Sequence, residues 1–371
     1  MNIKQRITVC LVAGARPNFM KIAPIIRALE EASDFFNYYL IHTGQHYDQE
    51  MSEVFFKQLD IPNPDYHLNA GGGTHAEQTA KVMVAFEPVV AKIRPDLVLV
   101  VGDVNSTLAC SLVAKKLGIR VAHVEAGLRS GDWRMPEEIN RLATDAISDL
   151  YFVTEPSGRD NLILEGKSDT AIHFVGHVMI DNLFFELAKL SEGATVSKSV
   201  EAIKAACRNY AIVTLHRPAN VDNLDTLDRV LSGLSRAAQR LPMIFPVHPR
   251  TAKQIESLGL VLPKSIHLLP PLPYRDLLFL TKDATVVLTD SGGLQEESTA
   301  LGIPCLTIRE NTERPVTVLE GSNILVGSDP EKIDREVAAI LENGGKRGKQ
   351  PALWDGHAAE RIVTVLRREL T

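Results

Sequence analysis

The sequence predicts an α/β protein made of two doubly wound parallel-sheet domains. Short runs rich in Val, Ile and Leu recur along the 371 residues, amphipathic stretches separate them, and the alternation lapses once near the middle before a second series begins. Near-continuous apolar strands suit parallel sheets covered on both faces, and each intervening helix fits one right-handed crossover. A chain of this length buries two such cores comfortably.

In the first half the expected strands are Ile7 to Val12, Tyr38 to His42, Leu97 to Gly102, Val121 to Glu125, Leu150 to Val153 and Ile172 to Val175. Between them Ala23 to Ala32, Ala76 to Ile93 and Asn105 to Leu117 carry helical spacing. The first run, with Lys4 and Arg6 before it and Ala13-Gly14-Ala15 after it, imitates a secretory leader. It is short and β-branched, and it leads into an Arg, a Pro and a helical pattern, so a buried strand is expected instead. The polar, small-residue stretch from Ala188 to Lys198 reads as a domain connection. Strands then resume at Ala211 to Leu215, Met243 to Val247, Ile266 to Leu269, Thr285 to Thr289, Pro304 to Ile308 and Asn323 to Val326. The helical stretch Ala358 to Leu370 is expected to cross back onto the first domain. The expected division is thus 1–178, joined by 355–371, and 179–354.

Composition narrows the function. Lys and Arg total 40 against 46 for Asp and Glu, a net charge of -6 with no basic block, which argues against a general nucleic-acid binder. At 45% hydrophobic and 23% charged the chain is globular, neither disordered nor fibrous. No apolar run approaches the ~18 to 20 residues that span a bilayer. Cys10, Cys110, Cys207 and Cys305 are far apart and form no C-x-x-C, which suggests a reducing compartment and no zinc site. A cytoplasmic protein without a membrane partner is the expectation.

Ligands of doubly wound sheets bind at the carboxyl ends of the strands, and there the polar clusters fall. Gly14-Ala15-Arg16-Pro17-Asn18-Phe19-Met20-Lys21 places Arg16 and Lys21 at a strand-to-helix turn, where two cations beside a helix N-terminus favour an anion. Asp103 and Glu125 end neighbouring strands, and Met135-Pro136-Glu137-Glu138 opens a helix with acids in its first turn. Carboxylates converging on one cleft suit acid and base roles, although Glu137 and Glu138 also fit favourable charge placement at a helix start. His216 with Arg217 and His248 with Arg250 follow strands of the second half, a pattern suited to anionic oxygens rather than to a metal, since no further ligand stands at the right spacing. In Thr289-Asp290-Ser291-Gly292-Gly293-Leu294-Gln295-Glu296-Glu297 a strand passes through Ser-Gly-Gly into a helix, which brings backbone N–H groups to a phosphate and an acid to a ribose. No Walker lysine follows. Gly71-Gly72-Gly73-Thr74-His75-Ala76 satisfies G-x-G-x-x-A only formally, because it does not follow the first strand, so no nicotinamide is expected.

Taken in order, GARPNFMK, TGQHYD, the Gly-Asp at 103, HVEAGLRSGD, MPEEINR, LHRPANVD, PVHPR, TDSGGLQEE and TERPVT resemble the non-hydrolysing UDP-N-acetylglucosamine 2-epimerases, from residue 7 to the C-terminus. The resemblance implies a glycosyltransferase-B-like pair of Rossmann-like domains, with UDP held mainly by the second, and a homodimer. It implies removal of the carbon 2 proton as the carbon 1–oxygen bond breaks, release of 2-acetamidoglucal and UDP, and re-addition with protonation on the opposite face, without metal or redox cofactor. By motif position Asp103, Glu125 and Glu137 correspond to the catalytic carboxylates, His216 to the residue that steadies the diphosphate, and Arg16 and Lys21 to the charged pair. Ser291, Gly292 and Gly293 correspond to the phosphate turn, Glu297 to the ribose acid, and Arg314 to a further polar position. His248 is expected among the UDP-binding residues.

Many members read GTRPEAIK and GHRREN where this chain has GARPNFMK and LHRPANVD, which marks a different branch. In regulated members a second UDP-GlcNAc lies near the segments that here read Gln45-His46-Tyr47-Asp48 and Gly71 to Thr74. The acidic Asp48 and the glycines replace larger polar or basic residues, so allosteric activation is not expected. Three enzyme alternatives remain: the same chemistry on a modified UDP-sugar such as UDP-2,3-diacetamido-2,3-dideoxyglucuronate, a hydrolysing epimerase that releases N-acetylmannosamine, and a glycosyltransferase. A non-enzymatic UDP-sugar sensor is the fourth.

Overall fold

The computed structural model describes residues 6–44, 56 and 59–371. The segment Gln45 to Asp48 lies outside the described residues. Two compact units are present: residues up to Asn182 together with Ala352–Thr371, and Leu183–Pro351. Each is built on its own parallel sheet.

The first sheet has the order β3-β2-β1-β4-β5-β6-β7, from Ile7–Ala13 (β1), Phe36–His42 (β2), Tyr66–His67 (β3), Leu97–Val101 (β4), Arg120–Val124 (β5), Leu150–Val153 (β6) and Ile172–Phe174 (β7). β4 is apolar and buried throughout, and β1 is so apart from Thr8, as expected for strands covered on both faces. Val9, Cys10 and Leu11 of β1 stand opposite Leu97, Val98 and Leu99 of β4. The strand order reverses between these two, so the crevice of this unit opens beyond their carboxyl ends. The helix Arg16–Glu31 leaves β1, and Asn105–Lys116 follows β4. The glycines at 71–73 lead into the helix His75–Ile93, where Thr74 Oγ1 accepts from the Glu77 N–H at 3.2 Å and Glu77 Oε2 accepts from the Thr74 N–H at 2.8 Å. This reciprocal cap accounts for that stretch as a helix start.

The C-terminal segment completes the first unit. Trp354 is fully buried and donates its indole N–H to the Thr154 carbonyl at 3.1 Å. Gly176 has φ +87°, and a Cβ there would come within 1.9 Å of the Leu353 carbonyl oxygen, so only glycine lets the two backbones approach. Asp181 accepts from the N–H groups of Ala358 at 3.1 Å and Ala359 at 2.7 Å, holding the N-terminus of the helix Ala358–Leu370. That helix packs beside Arg16–Glu31.

The second sheet has the order β10-β9-β8-β11-β12-β13, from Ala211–Thr214 (β8), Met243–Pro246 (β9), Ile266–Leu269 (β10), Val286–Thr289 (β11), Cys305–Thr307 (β12) and Asn323–Leu325 (β13). Side-chain alternation divides its core in two. Ala211, Val213, Met243, Phe245, Val286 and Leu288 pack on one face, and Ile212, Ile244, Val287 and Cys305 on the other. The order reverses between β8 and β11, where His216 and the Ser-Gly-Gly turn follow. Among the described residues no helix is long and apolar enough to cross a membrane.

Candidate active site

In the first unit the turn after β1 is held by Asn18. Its Oδ1 accepts from the N–H groups of Gly14 at 3.0 Å and Ala15 at 2.9 Å, and its Nδ2 donates to the Val101 carbonyl at 3.2 Å. One amide thus joins the ends of β1 and β4. Arg16 begins the helix. Lys21, about one turn on, forms an ion pair with Glu125, whose side chain is fully buried. A buried carboxylate needs a partner, and Lys21 supplies it.

Glu125 follows β5 with φ +69°, a conformation that L residues adopt only when their surroundings impose it. Its carboxylate lies against Gly102, where an added Cβ would be 3.0 Å from Lys21 Nζ and 3.4 Å from Glu125 Oε2. Asp103 comes next in the chain. Its carboxylate pairs with the nearly buried Arg141, and its carbonyl accepts from Asn140 Nδ2 at 3.0 Å. Arg141 and Asn140 lie on the helix Pro136–Ile147, with Glu137 one turn before Arg141 and exposed. Glu138 is buried and accepts from the N–H groups of Ser130 at 2.8 Å and Gly131 at 3.0 Å, and from Ser130 Oγ at 3.0 Å. Glu138 therefore organises the preceding loop, whereas Glu137 faces solvent.

In the second unit Asp290, at the end of β11, is fully buried. It accepts from His216 Nδ1 at 2.8 Å, from the N–H groups of His216 at 3.1 Å and Arg217 at 2.9 Å, and from Asn220 Nδ2 at 3.1 Å. Burial opposes its ionisation, but these donors prevail and hold the carboxyl below its usual range. His216 itself is half exposed, its ring fixed by Asp290. Ser291 is the N-cap of the helix Gly292–Leu301, and nothing lies within 4 Å of the place a Gly292 Cβ would take. Two acids follow one turn later. Glu296 pairs with Arg314. Glu297 accepts from the Tyr274 hydroxyl at 3.0 Å, and burial, with the charge of Glu296, pushes its pKa up to about 8. His248 is exposed and caps the helix Pro249–Ser257, accepting from the Arg250 N–H at 3.3 Å.

Sequence reasoning did not single out Asn18, Arg141 or Asp290, although each lies inside a motif it used. The available indications were an Asn two residues into a helix start, an Arg one turn after Glu137, and an Asp directly before Ser-Gly-Gly.

Two doubly wound sheets, acids at the strand ends of one and a glycine turn at a helix N-terminus of the other define a two-domain enzyme with a glycosyltransferase-B-like fold. The family model described as UDP-N-acetylglucosamine 2-epimerase matches residues 27–367. The chain belongs to that family and is an isomerase. It is 42% identical over 362 residues to the UDP-N-acetylglucosamine 2-epimerase of Methanocaldococcus jannaschii, covering 96% of this chain and 98% of that protein. The crystal structure of the Methanocaldococcus jannaschii UDP-GlcNAc 2-epimerase in complex with UDP-GlcNAc and UDP superposes with a TM-score of 0.85 at 42% identity, covering 98% of this chain and all of that one. The UDP-2,3-diacetamido-2,3-dideoxy-D-glucuronate 2-epimerase of Pseudomonas aeruginosa is 41% identical over 326 residues, 87% of this chain and 89% of that protein.

Proposed function

We propose that the protein interconverts UDP-N-acetylglucosamine and UDP-N-acetylmannosamine by anti elimination and re-addition of UDP. The observation that carries the proposal is the pairing at Gly102: two carboxylates, Asp103 and Glu125, each held by its own cation. The carbon 2 proton has no neighbouring carbonyl to acidify it. It leaves to a carboxylate while the electron pair of the carbon 2–hydrogen bond forms the double bond and the carbon 1–oxygen pair departs with UDP. Re-addition reverses these movements with a proton delivered to the other face, so no net oxidation occurs. Acid-base groups are required on both faces, and Asp103, Glu125 and Glu137 take these roles. Lys21 and Arg16 offset the negative charge that grows on UDP, and His216, oriented by Asp290, steadies the diphosphate. Ser291, Gly292 and Gly293 receive phosphate oxygens, Glu297 the ribose, and His248 and Arg314 further polar groups of UDP. The working form is a cytoplasmic homodimer, which light scattering checks.

The similarity to the Pseudomonas aeruginosa enzyme supports a second reading, in which the sugar carries a carboxylate. Arg129 is engaged by Asp145 and Glu165 and does not stand ready for that group, whereas Arg134, exposed and paired with Asp132 at the surface, is the cation this reading would use. Proton NMR with UDP-GlcNAc in deuterated water, without nicotinamide or metal, tests the proposal. Carbon 2 exchange with UDP-ManNAc as product is expected. Free N-acetylmannosamine identifies a hydrolysing enzyme instead, and absence of exchange with UDP-GlcNAc but turnover of the diacetamido-glucuronate identifies the second reading.

A further inference from the structure

His123 lies inside β5 and Asp145 on the helix Pro136–Ile147, both with 0% exposure, in positions where packing alone would favour apolar side chains. The His123 ring has Nδ1 2.6 Å from Asp145 Oδ1 and Nε2 2.7 Å from the carbonyl oxygen of Gly102. A carboxylate and a carbonyl both only accept, so both contacts are hydrogen bonds only when both ring nitrogens carry hydrogen. Asp145 Oδ2 accepts from the Gly127 N–H at 3.0 Å and from Arg129 at 2.8 Å. Arg129 is held in turn by Glu165 at 2.7 Å, and the Tyr151 hydroxyl donates to the Asp145 carbonyl at 3.0 Å.

The pair is therefore tied to the residue before Asp103 and to the second residue after Glu125. Gly102, Glu125 and Gly127 all have positive φ, at +66°, +69° and +77°. Glycine adopts such backbone freely, whereas Glu125 keeps it only because its surroundings over-determine it. A buried ion pair adds little stability compared with apolar residues of equal volume, which leaves its geometric effect as the main one. We propose that His123 is a buried imidazolium which, with Asp145, is a positioning residue for the reaction: it fixes the two strand-end turns that carry Asp103 and Glu125. This rests on the reading of those carboxylates as acid-base groups.

Two measurements on the full-length protein test it. With ring-labelled histidine, nitrogen-15 NMR is expected to show both His123 nitrogens protonated at neutral pH; one unprotonated nitrogen overturns the imidazolium. In kinetics with UDP-GlcNAc, His123→Asn keeps a donor for Asp145 but loses the one for Gly102, and His123→Gln does the reverse. Misplaced catalytic groups are expected to lower kcat by about 10- to 100-fold in His123→Asn with KM nearly constant, with partial recovery in His123→Gln. Near-normal kcat in both folded variants overturns the positioning role. Failure of the wild type to epimerise UDP-GlcNAc counts against the proposed function, while the NMR result still decides the state of His123.

Discussion

Asp103 meets Arg141, and Glu125 meets Lys21, so each carboxylate is paired with a cation of the same unit. If these oxygens take and give the proton as proposed, replacing them while keeping the side chain's shape should spare the fold and remove the chemistry. Asp103→Asn and Glu137→Gln are expected to retain UDP binding and to lose turnover by about 100-fold or more, read from initial rates and UDP titration. Near-normal rates in both would remove them from the mechanism. Glu297 is an acid of a different kind, buried beside Glu296 and the Tyr274 hydroxyl. Its pKa in the folded chain is about 8, whereas an unfolded glutamate ionises near 4.3. A raised folded pKa contributes stability that is complete below about pH 4 and is lost as pH rises to about 8. Urea midpoints of the nucleotide-free protein should thus fall less steeply with pH over this window in Glu297→Gln than in the wild type. Parallel curves would contradict the burial of an uncharged acid there.

At the level of elements, Gly127 decides how the chain leaves β5. It has φ +77°, and a Cβ would come 2.1 Å from the Gly158 carbonyl oxygen, a backbone atom with little room to yield. Gly127→Ala is expected to cost about 1–3 kcal/mol in denaturant unfolding and to reduce kcat as Glu125 shifts. Unchanged stability would mean the turn has another accessible conformation. The strands themselves were legible because parallel sheet buries both faces, which leaves unbroken Val, Ile and Leu runs such as Leu97–Val101. β3, of two residues, left no such run in the sequence. The helix Arg16–Glu31 begins well before the Ala23 expected, since Asn18 and Lys21 interrupt apolar spacing for the sake of the strand-end turn. The acids of the candidate site were visible as motif residues at strand ends. Their partners were less so, because Arg141, Asn18 and Asp290 meet the groups they hold only after the chain has crossed the sheet.

For the whole molecule, the first unit depends on residues far away in the chain. Trp354 fills its core and the Asp181 carboxylate holds the helix that follows. Trp354→Ala is expected to destabilise by about 3–5 kcal/mol, measured as a loss of the urea midpoint without a change in slope; a loss below 1 kcal/mol would show that the site collapses to fill the space. The return of this segment also orders events during synthesis. Residues 183–351 are continuous and emerge from the ribosome together, whereas the earlier-made strands of the first unit must wait, with Gly176 and Asp181 uncovered, until 352–371 have been translated. The unit begun first is thus the one finished last.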